Sequence, residues 1–275
     1  MSINTDGSGH EPADWTVVDR GWGHATEDFS TLSEPANCRE YVGMHQRLHV
    51  DENDRVLDVA CGSGLAVELA RARGAVGAGI DASGRLIAIA RDRNPGADLR
   101  VGDMCRLPWP EASFEVATSF RGVWGTTPSA VGEMARVLVP GGRIGITVWG
   151  HIKRSSGAWA LAPFSMAAAP KVANQAAMVS LGRPGAGEEL LSRYGFDDIE
   201  RVSIPFAWEF PDPEGYARAI ASTGPAFEAI EHVGPAAFHE FAVAHAQEQV
   251  RQGLPLRAEI DVVGYLARKP NHSKG

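Results

Sequence analysis

The sequence predicts an α/β protein built on an open, mainly parallel sheet, and three observations carry that expectation. Short aliphatic runs alternate with amphipathic stretches from residue 55 to 149; the first run breaks into a glycine turn; and beyond residue 150 the alternation gives way to helical patterning. Strand and helix alternating at this spacing make βαβ units, whose crossovers require parallel neighbours.

VLDVA at 56–60 is the first strand, followed by the small residues Cys61, Gly62, Ser63 and Gly64. LAVELARARG supplies a helix, AVGAGID a second strand, RLIAIARDR a second helix, DLRVGD a third strand and FEVATSF a fourth. A helix is predicted at 128–139, with Val131, Met134, Ala135 and Leu138 on one face and Pro128 in its first turn. Pro140, Gly141 and Gly142 predict a turn into the fifth strand, RIGITVW. Residues 157–181 are rich in Ala and Met and helical in pattern, followed by a GRPGAG turn and the short helix EELLSRYG. Strands predicted at about 199–208 and 257–268 enclose a helical insertion at about 210–253, where Phe238, Phe241, Ala242 and His245 follow i, i+3, i+4, i+7 spacing. Such an apolar face either packs on the sheet or caps a pocket at the strand ends, and the second reading makes Phe238 and Phe241 substrate-binding. His245 on that face reads as a hydrogen-bonded core histidine. The organisation expected is a disordered start over 1–12, a helical lid segment over 13–50, a core over 51–150, a part completing the sheet over 151–269 with the cap inside it, and a disordered tail over 270–275.

At 275 residues the chain suits one elaborated domain, and its hydrophobic and charged fractions of 44% and 22% are those of an ordinary globular protein. A net charge of −8 without a basic cluster argues against nucleic acid, whose phosphates require many cations. No apolar run reaches membrane-spanning length and the first residues do not resemble a signal peptide, so a cytoplasmic protein with no membrane partner is expected. Cys38, Cys61 and Cys105 form no CxxC pair and read as buried, reduced thiols. The histidines are read as lacking both HxxxH and HExxH spacing, and no metal is expected.

A glycine turn after a first strand brings backbone N–H groups and a helix N-terminus to a ligand. The run Gly62, Ser63, Gly64, Leu65, Ala66, Val67 lacks the third glycine of a dinucleotide site, and Asp58 beside it would repel a pyrophosphate while attracting an ammonium or sulfonium. Asp81 ends the second strand where a carboxylate can accept from both ribose hydroxyls. Asp103 and Met104 end the third, placed to meet an adenine amine and its ring. A nucleoside joined to an amino acid with no phosphate between matches these three ends, and S-adenosylmethionine is such a molecule.

In VLDVACGSG at 56–64, GIDAS at 79–83, RVGDMCRLPWPEASFEVATS at 100–119 and RVLVPGGRIGITVW at 136–149, the sequence resembles the class I S-adenosylmethionine-dependent methyltransferases, in particular the UbiE-like, methyltransferase type 11 branch acting on small molecules. The resemblance implies a Rossmann-like sheet of order 3-2-1-4-5-7-6 with strand 7 antiparallel, DVVGYLARK being strand 7. It places Asp58, Ala60, Gly62 and Gly64 around the methionine moiety, Asp81 at the ribose, Ala82, Asp103 and Met104 at the adenine, and Phe120 near the sulfonium. Ala60 stands where the family usually has a glycine.

Methyl transfer from a sulfonium is a displacement with a good leaving group, so the main requirement is to hold the acceptor in line. Topology brings Arg121 and Trp124 after the fourth strand, His151 after the fifth, and Trp22 with His24 on a Gly-hinged segment to the same edge. Trp22, Arg121 and Trp124 are expected to bind the acceptor, a small and largely apolar molecule methylated on oxygen or carbon. His24 and His151 are the candidate bases. Two rivals remain: a nucleotide-dependent oxidoreductase, and a binding protein of the same fold without turnover.

Overall fold

The computed structural model describes residues 15–125, 127–168 and 178–271. Its strands are β1 (Arg55–Val59), β2 (Val76–Asp81), β3 (Asp98–Val101), β4 (Phe114–Phe120), β5 (Leu138–Trp149), β6 (Asp197–Ile204), β7 (Ala207–Glu209), β8 (Arg257–Glu259) and β9 (Val262–Arg268). Seven form one sheet in the order β3-β2-β1-β4-β5-β9-β6, and β7 with β8 makes a separate antiparallel ladder. The pairs from β3 across to β5 are parallel, whereas β9 runs antiparallel to both β5 and β6. With β9 as the seventh strand, this is the order the resemblance implies.

Neighbouring residues of a strand face opposite sides, and here both sides are dry. Val56 and Val116 face one layer with Met44 of a helix over Cys38–Arg47 and Leu48 just after it. Leu57 and Ala117 face the other, with Val131, Met134 and Val137 of a helix over Ser129–Val137 and Leu190 and Leu191 of one over Ala186–Arg193. In chain order the helices are α1 (Val18–Trp22), α2 (Thr26–Asp28), α3 (Cys38–Arg47), α4 (Leu65–Arg71), α5 (Gly84–Arg93), α6 (Ser129–Val137), α7 (Ala186–Arg193), α8 (Pro213–Ala221), α9 (Gly224–Val233) and α10 (Pro235–Arg251). The last three fill the expected insertion and pack on the first layer through Tyr216, Ala229 and Phe238.

Four expectations need correction. Pro140-Gly141-Gly142 is no turn: β5 begins at Leu138 and carries the three residues within it, Gly141 taking φ +77° while its N–H donates to the Lys269 carbonyl at 2.9 Å. The strand expected at 199–208 is cut at Pro205, which lacks an N–H, into β6 and β7, and the last strand is likewise divided into β8 and β9. The Ala- and Met-rich stretch forms 3-10 helices at Ser156–Met166 and Ser180–Gly182, while 169–177 lies outside the described residues. Of the thiols only Cys61 is buried; Cys38 and Cys105 are half-buried. Residues 1–12, and 272–275 of the expected tail, also lie outside the described residues; among the described residues no helix is long and apolar enough to cross a membrane.

Candidate active site

The carboxyl ends of β1, β2 and β4 open into a cavity of about 850 Å³, in the upper part of the roughly 300 to 1,000 Å³ common for ligand sites. One half lies over the strand ends and is lined by Asp58, Ala60, Gly62, Asp81, Ala82, Asp103, Met104 and Phe120. The other is walled by side chains from widely separated segments: Asn37 and Tyr41, Arg121 and Trp124, Trp149 and Ile152, Leu161 and Phe164, Trp208, and Pro225 and Glu228. Trp15, Val18 and Trp22 close it from the N-terminal segment. Asp19 secures that segment to the core through the Ser83 hydroxyl and the Arg85 guanidinium, the latter at 2.8 Å.

The strand-end half is built by acids whose neighbours hold them in place. Asp81 accepts the N–H of Gly62 on one oxygen at 2.9 Å and that of Ser83 on the other at 2.8 Å, which joins the glycine turn to the start of α5. Each carboxylate oxygen keeps a second acceptor position, so two hydroxyls can still be received. Asp58, 3% exposed, accepts from the Thr118 hydroxyl at 2.7 Å and has no ion pair among the described residues. Burial, reinforced by the negative charges of Glu34, Asp81 and Glu40, pushes its carboxyl well above the usual range. Burial raises Asp81 too, against the backbone N–H groups that favour its charged form. An ammonium is the ligand group that removes this penalty. Asp103 accepts the Cys105 N–H at 2.8 Å, fixing the loop on which Met104 stands.

Ala60 and Arg121, just past the ends of β1 and β4, both take left-handed backbone, at φ +62° and +58°. For a residue with a Cβ this conformation costs about 1 to 2 kcal/mol, and it turns both strand ends sharply at the cavity wall. Gly62 and Gly64 need the same region, at +55° and +82°.

Two acids that the sequence reading missed hold the frame together. Glu34, 1% exposed, lines the cavity, accepts from the Ser63 hydroxyl and pairs with Arg93 at 2.5 Å. Burial lifts its carboxyl above the ordinary value despite those partners. Glu40 accepts from the Thr147 hydroxyl and pairs with Arg121 at 3.0 Å. The Arg121 guanidinium also lies 4.6 Å over the Trp149 ring and 4.7 Å over Phe206. Neither acid belongs to a motif: TLSEPANCREY reads only as helix-forming, and its partners are 29 to 107 residues away.

Several expected site residues are placed elsewhere. Gly64 does not line the cavity; a Cβ there would sit 2.8 Å from that of Ala90, so its role is the close approach of α5. His24 is off the cavity, its Nδ1 2.8 Å from the Gly21 carbonyl and its Nε2 2.7 Å from that of Ala221, and a ring facing two carbonyl oxygens is a fastener rather than a base. His151 is exposed and turned away, its backbone N–H on Asp261. Phe238 is 1% exposed but packs among the helices, and Phe241, 40% exposed, stacks on His245; neither reaches the cavity, which α9 touches instead. His245 meets the Trp159 carbonyl at 2.9 Å, in keeping with a hydrogen-bonded histidine. His45 and His49 do stand in HxxxH spacing, yet His45 is buried edge-on to Phe120, and no cluster of three ligating side chains occurs among the described residues.

Residues 57–146 match the family model described as a methyltransferase domain. Over those residues the chain is similar to a methyltransferase domain. It is 30% identical over 144 residues to the 27-O-demethylrifamycin SV methyltransferase of Amycolatopsis mediterranei, covering 47% of this chain and 53% of that one. With the demethylmenaquinone methyltransferase of Renibacterium salmoninarum it shares 30% identity over 172 residues, 62% of this chain and 65% of the relative. The chain thus spans about half to two thirds of these relatives' lengths. Among solved structures, the cyclase SpnF superposes with a TM-score of 0.56 at 22% identity, covering 85% of this chain and 82% of that one. The phosphoethanolamine N-methyltransferase 2 of Haemonchus contortus, in complex with S-adenosyl-L-methionine, gives 0.59 at 17%, covering 94% and 60%. At these identities the superpositions show the fold alone.

Proposed function

We propose that this protein transfers a methyl group from S-adenosylmethionine to an oxygen or carbon of a small, largely apolar molecule. The observation that carries the reading is Asp58: a buried carboxylate at the cavity wall, without a cation of its own, 23 residues before a second carboxylate poised for a ribose. A pyrophosphate would be repelled there, which disfavours the oxidoreductase reading. When bound, the cofactor supplies an electrophilic methyl on a good leaving group. Asp58 receives its ammonium, Asp81 the ribose hydroxyls, and Asp103 with Met104 and Ala82 the adenine. Phe120 forms the floor between the two halves, and Trp22, Trp124 and Trp149 hold the acceptor and exclude water. With His24 and His151 off the cavity, positioning is the chain's main contribution to rate. The segment from Trp15 to Gly23 acts as the lid, released where Asp19 leaves Ser83 and Arg85. A reducing, cytoplasmic setting belongs to this reading, supported by three unpaired thiols.

The test is to incubate the full chain with S-adenosylmethionine and a panel of phenols, quinones, polyketides and fatty acids. S-adenosylhomocysteine formed with at least one of them is the expected result. Cofactor binding without product across the panel would favour the non-catalytic reading, and binding of NAD but not S-adenosylmethionine the oxidoreductase one.

A further inference from the structure

Ser83 is bonded on two sides. Its N–H donates to one oxygen of Asp81 at 2.8 Å, and its hydroxyl donates to a carboxylate oxygen of Asp19 in the N-terminal segment. The residue itself is 0% exposed, just ahead of α5. Asp19 stands on α1 with Val18 and Trp22, which line the cavity, but does not line it. Asp19 also accepts from Arg85 at 2.8 Å, yet both members of that pair are partly exposed, so the pair adds little. The backbone is shaped to the buried bond: a Cβ at Gly23 would fall 2.6 Å from the Ser83 hydroxyl oxygen, closer than a side chain can stand. On its other side the segment rests on the helical insertion, with Trp22 so near Gly224 that a Cβ there would meet the indole at 2.5 Å.

Two carboxylates thus share one serine. Burial raises the Asp81 carboxyl, and the negative charge of Asp19 raises it further. Closing the segment therefore brings like charges together, and whatever donates hydrogen bonds to Asp81 lessens their repulsion. Two vicinal hydroxyls do that, and a sugar without them does not. We propose that Asp19 and Ser83 are positioning residues that couple closure of the N-terminal segment to vicinal hydroxyls held at Asp81. The segment closes on a ribose and stays loose over a nucleoside that lacks the diol. By reciprocity, closure tightens the hold on the ribose, so selection for the cofactor's sugar gains from an element that never touches it. The inference rests on the reading of Asp81 as the acceptor of the cofactor's ribose.

The experiment compares S-adenosylhomocysteine with its 2′,3′-dideoxy analogue on the full chain, by calorimetry and by amide hydrogen exchange over residues 15–23 at equal occupancy. Wild type should bind the natural ligand about tenfold or more tightly, the scale of hydrogen bonds to a buried charged group, and only that ligand should slow exchange in the segment. Asp19→Ala and Ser83→Ala should each shrink the affinity ratio about threefold or more, within the range of couplings between groups that share a partner, and abolish the difference in exchange. Gly23→Ala, which displaces the same bond without removing a polar group, should do likewise. A segment that served only as a cover would weaken both ligands equally in Asp19→Ala, and that result overturns the proposal. So does equal slowing of exchange by the two ligands in wild type. Should the buried Ser83→Ala fail to fold, Asp19→Ala, at a partly exposed side chain, decides alone. If neither ligand binds wild type, the ribose reading falls and the proposal with it, whereas binding with an unchanged ratio in Asp19→Ala removes the proposal alone.

Discussion

The two halves of the cavity solve opposite problems. Over the strand ends, nearly every polar group is held by the chain itself: Asp81 by Gly62 and Ser83, Asp58 by Thr118, Asp103 by Cys105. Farther from the strand ends the wall is mostly aromatic and aliphatic, with Trp124, Trp149, Leu161, Phe164 and Trp208. A preorganised half suits one invariant ligand, because its geometry is complete before binding. A half walled by apolar side chains from separate segments suits selection by shape, because a ligand that fits poorly leaves apolar surface unburied. The comparison teaches that rigidity and choice are assigned to different elements, the sheet edge and the helical insertion.

The largest expected effect breaks the frame both halves share. Arg93→Ala strips Glu34 of its ion pair at 1% exposure, and should cost about 3 to 5 kcal/mol in urea unfolding, the usual result of stranding a buried charge. A loss below about 1 kcal/mol, the scale of an exposed pair, would mean that the pair is solvated and the frame looser than described.

Asp58 separates stability from binding. Its carboxyl is raised by burial, so the folded protein binds the proton more tightly than the unfolded chain. That stabilisation is complete below the unfolded value, near about 3.9, and is lost as pH rises through the folded value. Asp58→Asn should therefore stabilise the ligand-free protein at neutral pH while weakening S-adenosylmethionine binding. In wild type the affinity should fall as pH drops through the raised range, since an ammonium needs the ionised form. Thermal melts and calorimetry of both proteins check this, and a variant less stable than wild type at neutral pH would contradict it.

Asp81→Ala removes an acceptor from two backbone N–H groups and, in the proposed complex, from two hydroxyls. Cofactor affinity should drop by about 1 to 3 kcal/mol in calorimetry, with acceptor binding in the other half nearly unchanged. Equal losses in both would show that the halves are not separable.

These strand-end residues were legible because they are local. Asp58, Gly62, Asp81 and Asp103 each lie at or just past the end of a strand, and the chain order of βαβ units brings strand ends together without any knowledge of side-chain contacts. The other half escaped for the same reason reversed. Trp149, Phe164 and Trp208 are single aromatics on segments far apart in the chain, and what matters in each is the cavity they share, which a sequence does not display. Periodicity identified the helical insertion but not its orientation: Phe238 and Phe241 share a helical face by spacing, whereas α10 packs on α8 and leaves α9 to meet the cavity. His24 and His151 drew attention as titratable residues near glycine hinges and strand ends, yet carbonyl oxygens and solvent claim them.

The smallest effects test that correction. His151→Gln should leave turnover within a few-fold of wild type, against the roughly 100-fold or greater loss expected for a general base. Phe241→Ala should change stability by no more than about 0.5 kcal/mol, as for other exposed sites, and leave acceptor affinity unaltered. A pH profile that loses its acid limb in His151→Gln would restore that histidine to the site.

The most direct measurement is a calorimetric titration of the full chain with S-adenosylmethionine, repeated in buffers of different ionisation enthalpy and repeated on Asp58→Asn. The account predicts one site per chain, release of a proton on binding to wild type at pH values where Asp58 is part-protonated, and weaker binding without that release in Asp58→Asn. Binding of equal strength to both proteins, or no binding to wild type, would contradict the claim that a buried, unpaired carboxylate at the end of the first strand receives the ligand's cation.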